Sequence, residues 1–200
     1  ALLDLLRVDR TELPDFERVV IGVDPSVGDP SGSDEESIAE CGIVGGGYSS
    51  LNHPTLGYIP YGWLLADRSL QGHPHAWGHA VVNAYHERGA DLVVCEVNNG
   101  GALVEANIHA IDANIPVKMV HASRGKVTRA EPIANFYEQR RIYHVRGEDF
   151  AKLESQMCNY VPGCKSPDRL DAMVWAHTEG MEDGMPLTVG TEPLLGDWRG

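Results

Sequence analysis

Four acids in this 200-residue chain, Asp24, Glu96, Asp168 and Asp171, occupy positions that suggest chemistry. Asp24 ends the apolar run 19–23 and precedes Pro25. Glu96 lies inside Val93-Val94-Cys95-Glu96-Val97, where a carboxylate taken out of water needs a partner. Asp168 and Asp171 stand three apart near the start of a helical pattern, so they share one face. Singly, most have ordinary explanations: Asp24 before a proline opens a turn, and Asp168 complements a helix dipole. Glu96 has no such explanation. Together, carboxylates converging from separate elements make a site for hard cations. Two Mg²⁺ or Mn²⁺ ions about 4 Å apart would activate a water and stabilise the leaving oxygen of an in-line phosphoryl displacement. Without cations the acids repel one another, so such a site is metal-dependent.

The elements that must position these acids follow from hydrophobic periodicity. Residues 18–24, 38–48 and 61–70 read as three strands able to form an antiparallel meander, joined by polar loops at 27–37 and 49–60. Alternating helices and strands follow: a helix at 74–89, a short buried strand at 91–98, a helix at 101–114 and a strand at 115–123. A helix ending near Arg141 has two competing starts, a Thr128–Glu131 capping box or Pro132 at the first helical position. A strand at 141–145, a helix at 148–160 and a helix opened by Ser166 and Pro167 complete the pattern. Three strands followed by alternating units predict an α/β fold with a central mixed sheet flanked by helices.

Other motifs fail on context. Gly45 and Gly47, with Asp67 twenty residues after Gly47, imitate a dinucleotide fingerprint, but the residues after the glycines are no helix. Gly125-Lys126 is followed by Val127, where a phosphate loop needs Ser or Thr. His75 and His79 share a helix face but have no partner acid, so they read as surface residues. Cys41, Cys95, Cys158 and Cys164 form no CxxC pair and fit a reducing, cytosolic compartment. No apolar run approaches the roughly 20 residues that span a bilayer, and the charged start does not read as a signal peptide.

The formal net charge is −13, which by itself argues against nucleic acid. Its distribution argues otherwise. Residues 118–146 hold seven basic and two acidic side chains, leaving the acids concentrated elsewhere. One basic face plus one acidic metal site accounts for that segregation, as does an ordinary solvated surface.

Three stretches together resemble one family: "VIGVDPS"; "VVCEVNNGG" followed by "VHASRGKVTRAEPIANFYEQRRIYHV"; and "LESQMC" followed by "SPDRLDAMVWA". They look like the C-terminal nuclease domain of tailed-phage large terminases, the DNA-packaging motors. The resemblance covers residues 18–178 and implies a ribonuclease H-like fold that cuts concatemeric viral DNA with two divalent metals, Mg²⁺ or Mn²⁺. Position by position it implies that Asp24, Glu96 and Asp171 are catalytic and metal-binding, with Asp168 an auxiliary ligand. Lys126 and Arg129 match the family's K-x-x-R element. With Arg124 they are the expected DNA-binding cations. Asn98 and Asn99 would fix Glu96 or touch DNA, and the acidic 27–37 loop, whose Asp29 is the acid nearest Asp24 in sequence, reads more simply as a solvated loop than as the source of an extra metal ligand.

The expected organisation is the end of an interdomain linker at 1–17, the nuclease domain at 18–180 and a tail at 181–200. Implied partners are double-stranded DNA, an upstream packaging ATPase domain, the terminase small subunit and the portal or procapsid, in the host cytoplasm and with no membrane. The expected activity is endonucleolytic cleavage with little sequence preference, because phosphate contacts position DNA without reading it. Competing readings are a junction resolvase or transposase-like enzyme on the same fold, and a non-catalytic module docking on portal or capsid. A sugar-kinase-like or actin-like ATPase half lacks its phosphate-binding glycine loops here.

Overall fold

The computed structural model describes residues 2–25, 40–96, 101–121, 126–161, 164 and 167–183, with the side chains of 101–102, 126–129 and 182–183 outside that description. The loop at 27–37, Asn98, Asn99, Arg124 and Ser166 therefore lie outside the described residues, as do the side chains of Lys126 and Arg129.

Among the described residues, eight strands form one mixed sheet: β1 (Arg7–Val8), β2 (Arg18–Pro25), β3 (Glu40–His53), β4 (Gly57–Asp67), β5 (Leu70–Gln71), β6 (Leu92–Glu96), β7 (Val117–Val120) and β8 (Ile142–Val145). The spatial order is β1-β8-β4-β3-β2-β6-β7, with β5 paired to β3. β2, β3 and β4 are antiparallel neighbours, as the meander requires. β6 adds parallel to β2, and β7 parallel to β6. β8 crosses to the other edge and lies parallel to β4. Residues 49–60 form no loop: β3 and β4 continue through them, so Ser50 faces Pro60 and His53 faces Gly57 around a tight turn. Polar and proline residues there occupy an exposed hairpin end, where no buried face enforces apolar alternation.

Among the described residues, six helices cover the sheet: α1 (Leu2–Leu5), α2 (Pro74–Arg88), α3 (Gly101–Ile111), α4 (Lys126–Glu138), α5 (Ala151–Asn159) and α6 (Asp168–Thr178). Strand alternation sorts the core into two halves. Val19, Ile21, Val23, Val93 and Cys95 pack with Trp77 and Val81 of α2 and Val104 and Ile108 of α3. Val20 and Val94 pack on the opposite face with Ile133 and Tyr137 of α4, Leu153 of α5, and Leu170, Ala172, Met173, Val174 and Trp175 of α6. The same parity directs Asp24 and Glu96 to the α6 face.

Two local expectations change. α4 begins at Lys126, before either expected start, and carries Pro132 in its interior. Pro132 has no N–H to offer the Thr128 carbonyl, so that turn forgoes one hydrogen bond. Pro167 occupies the N-cap of α6 instead of its first helical position.

Residues 2–17, expected as linker, belong to the fold. Leu6 is completely buried in the α6-side core. β1 pairs parallel with β8, Arg7 bonds Glu154 at 2.6 Å, and Arg10 bonds Glu148. The start packs because a segment beside an open sheet edge buries Leu6, sets Leu3 against the same core and pairs its backbone at once, while Leu2 and Leu5 stay exposed. At the other end Met181 is buried and residues Glu179–Asp183 form a single π-helical turn, so the fold runs past residue 180. No helix among the described residues is long and apolar enough to cross a membrane.

Candidate metal centre

β2 and β6 are parallel neighbours, and Val23 stands opposite Cys95. One residue further along each strand come Asp24 and Glu96, two carboxylates side by side where the strands end. Clefts at the carboxyl ends of parallel strands are the usual ligand sites of open α/β sheets. α6 crosses above them and supplies Asp171. The three carboxylates each offer an oxygen within 4.8 Å of the others, and all three residues are buried. Asp168, one turn earlier and partly exposed, is not one of these three.

α6 reaches this position because the sheet beneath it lacks side chains. A Cβ on Gly42 would lie 2.0 Å from the Asp168 carbonyl oxygen, inside any permitted contact. Gly42 pairs with Asp24 in the sheet register, so the close approach falls beside the acid.

Polar contacts then fix the helix. The buried Arg169 donates to Glu40 Oε1 at 2.7 Å, to Asp67 Oδ2 at 2.7 Å and to the Ser69 carbonyl at 3.3 Å. Burial opposes its charge, but hydrogen bonds and attraction from Glu40 and Asp67 outweigh burial and raise its pKa. The Trp175 indole N–H donates to Glu96 Oε2 at 2.7 Å. Just beyond α6, the buried Glu179 accepts from Lys118 Nζ at 2.6 Å and from Arg18.

Arg169, Trp175 and Glu179 were not singled out by sequence reasoning. Arg169 stands between Asp168 and Asp171, and Trp175 lies one turn after Asp171 on its face, so helical spacing is the signal that would find them. Asp67, which imitated a nucleotide-site acid, is instead a partner of Arg169. Lys118, counted with the basic stretch, binds Glu179, and Arg141 donates to the Pro60 carbonyl at 2.7 Å. Part of that basic character therefore serves the fold. His75 and His79 are exposed and face one another with 3.3 Å between Nε2 atoms.

The donor set fits a hard divalent cation. Clustered buried carboxylates cost free energy unless a cation offsets them, and all-oxygen sites suit Mg²⁺, Mn²⁺ or Ca²⁺. The nearest thiols do not compete. Cys41 and Cys95 belong to the opposite core half. Burial first, then the Asp24 and Glu96 charges, push the Cys95 thiol far above its ordinary range, so it stays protonated. Cys158 and Cys164 are exposed and unpaired in disulfides.

Sheet order, strand-end acids and the crossing helix define a ribonuclease H-like domain. The chain matches the Terminase RNaseH-like domain over residues 62–179. It belongs to that family. The P22 large terminase nuclease domain superposes with a TM-score of 0.60 at 12% identity, covering 90% of this chain and 89% of that one. The human cytomegalovirus terminase nuclease domain gives 0.51 at 14% identity, covering 88% and 91%. The nuclease domain of the large terminase subunit of bacterial virus Sf6, solved with manganese and β-thujaplicinol, gives 0.52 at 11% identity, covering 80% and 88%. No curated protein sequence matches the chain.

Proposed function

We propose that the chain is a metal-dependent endonuclease domain that cuts double-stranded viral DNA concatemers during genome packaging, with little sequence preference. The observation carrying this reading is the convergence of Asp24, Glu96 and Asp171 at the ends of two adjacent parallel strands. Two Mg²⁺ or Mn²⁺ ions, when bound, would supply Lewis-acid polarisation of the phosphate and a more acidic water. Asp24 on β2, between β3 and β6, would hold the ions together with Glu96 and Asp171, and Asp168 would be an auxiliary ligand. The water oxygen bonds to phosphorus and gives up a proton to solvent as the opposite P–O ester bond breaks, and the departing ester oxygen takes up a proton. Lys126, Arg129 and Arg124 bind backbone phosphates. In the assembled motor its partners are the packaging ATPase domain, the small subunit and the portal or procapsid, in the host cytoplasm.

The test is cleavage of linear duplex DNA by the purified chain in Mn²⁺ and Mg²⁺, beside Asp24→Asn, Glu96→Gln and Asp171→Asn. Cleavage that EDTA stops and each substitution reduces at least about 100-fold supports the proposal. Strong preference for four-way junctions would favour a resolvase. Folded protein that leaves DNA intact, or cuts equally well as Asp24→Asn, would favour a docking module.

A further inference from the structure

We infer that Trp175 is a positioning residue that sets the Glu96 carboxylate for cation binding; the inference rests on the metal-centre reading above. Glu96 is 2% exposed and ends a buried strand, so an unrestrained carboxylate there would choose among rotamers in a confined space. The indole N–H narrows that choice with a 2.7 Å hydrogen bond to Oε2. A carboxylate has about four lone-pair directions, and the indole bond takes one of them. Indole is suited to the task because it only donates, carries no charge, and cannot itself ligate a hard cation or compete as an acceptor. A lysine in its place would neutralise the carboxylate and weaken its hold on metal.

The arrangement links two ligands through one helix. Asp171 and Trp175 are four residues apart, so they lie on one face of α6. Asp171 presents its carboxylate directly, while Trp175 orients Glu96 on β6. Any displacement of α6 therefore moves Asp171 and releases Glu96 together. Outer partners that orient metal ligands typically matter by about 10- to 100-fold in metal affinity.

Trp175→Phe keeps the aromatic volume and deletes the N–H. Calorimetric titration with Mn²⁺ should show a dissociation constant about 10- to 100-fold weaker than that of the unsubstituted chain, with metal-free thermal unfolding still cooperative. Unchanged Mn²⁺ affinity in folded Trp175→Phe, with Glu96→Gln impaired, overturns the role of Trp175 and leaves the metal centre standing. An unsubstituted chain that binds no Mn²⁺, or Glu96→Gln binding as tightly as it, overturns both. Where Trp175→Phe does not fold, the indole N–H resonance of ¹⁵N-tryptophan-labelled unsubstituted protein decides. The Trp175 signal should shift on Glu96→Gln substitution and on Mg²⁺ saturation, and a signal indifferent to both overturns the inference.

Discussion

A Cβ on Gly22 would lie 2.1 Å from the main-chain oxygen of Ala172, so β2 and α6 meet backbone to backbone. Gly22 is two residues before Asp24, and Ala172 is next to Asp171. The separation of two metal-centre acids is thus set where the sheet has no side chain. Gly22→Ala must push α6 outward, because the obstacle is helix main chain and cannot rotate away. The expected cost is about 3 kcal/mol, the upper range for overpacking, together with weakened Mn²⁺ binding. Gly57→Ala, at an exposed turn with φ +74° and open space around it, should cost about 1 kcal/mol and leave Mn²⁺ affinity unchanged. Urea denaturation and calorimetric titration of both variants check this.

Arg169 holds the first turn of α6 against the ends of β3 and β4 through Glu40 and Asp67. Arg169→Ala would strand two acids in a site that is closed to water around Asp67, whose side chain is 1% exposed. Breaking a buried pair by removing one partner costs about 3–5 kcal/mol. Adding Asp67→Asn to Arg169→Ala removes one stranded charge and should recover part of the loss. Denaturation midpoints of the two single variants and the double variant measure that coupling.

Much of this architecture is legible in the sequence because parity and period are local. The run 18–24 reads as a strand, and its alternation alone sends Asp24 to one face. Glu96 stands out because an acid in an apolar strand demands a partner. Asp171 stands out less by itself than through its spacing and the family resemblance. What is not legible is long-range. Arg169 meets residues about 100 and 129 positions away, and nothing near it in sequence names them. Leu6 reads as linker because an isolated four-residue helix has no reason to persist until β8 offers an edge. The hairpin end at residues 51–58 reads as loop because solvent on both sides removes the pattern that would mark it.

The metal centre should make the protein less stable when empty. Three buried carboxylates within 4.8 Å repel one another. Asp24→Asn removes one charge at nearly constant shape, so in EDTA it should stabilise the chain by on the order of 1 kcal/mol. In Mn²⁺ the order reverses. A ligand at 100 times its dissociation constant stabilises by about 2.7 kcal/mol, and the variant forfeits most of that. Thermal unfolding of both proteins with EDTA and with Mn²⁺ should show the two curves exchanging order. A variant less stable in both conditions would mean that Asp24 is a fold-supporting acid.

His177, near the end of α6, gives the fold a pH dependence separate from the site. Its ring is fully buried, Nδ1 shares a 3.1 Å hydrogen bond with the Tyr48 hydroxyl, and Nε2 has no hydrogen-bond partner among the described residues. Burial first, and His144 second, lower its pKa from 6.5 to about 3. The native ring therefore stays neutral while the unfolded chain takes up a proton below about pH 6.5. Stability from this group is fully present above that value. It falls by roughly 1.4 kcal/mol per pH unit as pH drops from about 6.5 toward 3. Glu148 and Glu154 act in the same direction but lower. Burial raises both, yet Arg88 and Arg68 around Glu148, and His144 and Arg7 around Glu154, outweigh it and hold both carboxyls below their ordinary 4.5. The window between pH 6 and pH 5 thus isolates the histidine from these two acids. His177→Gln keeps a partner for Tyr48 without a titrating ring. Urea unfolding in EDTA across that window should give a slope shallower by roughly 1.4 kcal/mol per pH unit. Equal slopes would mean that His177 takes up its proton in the native state.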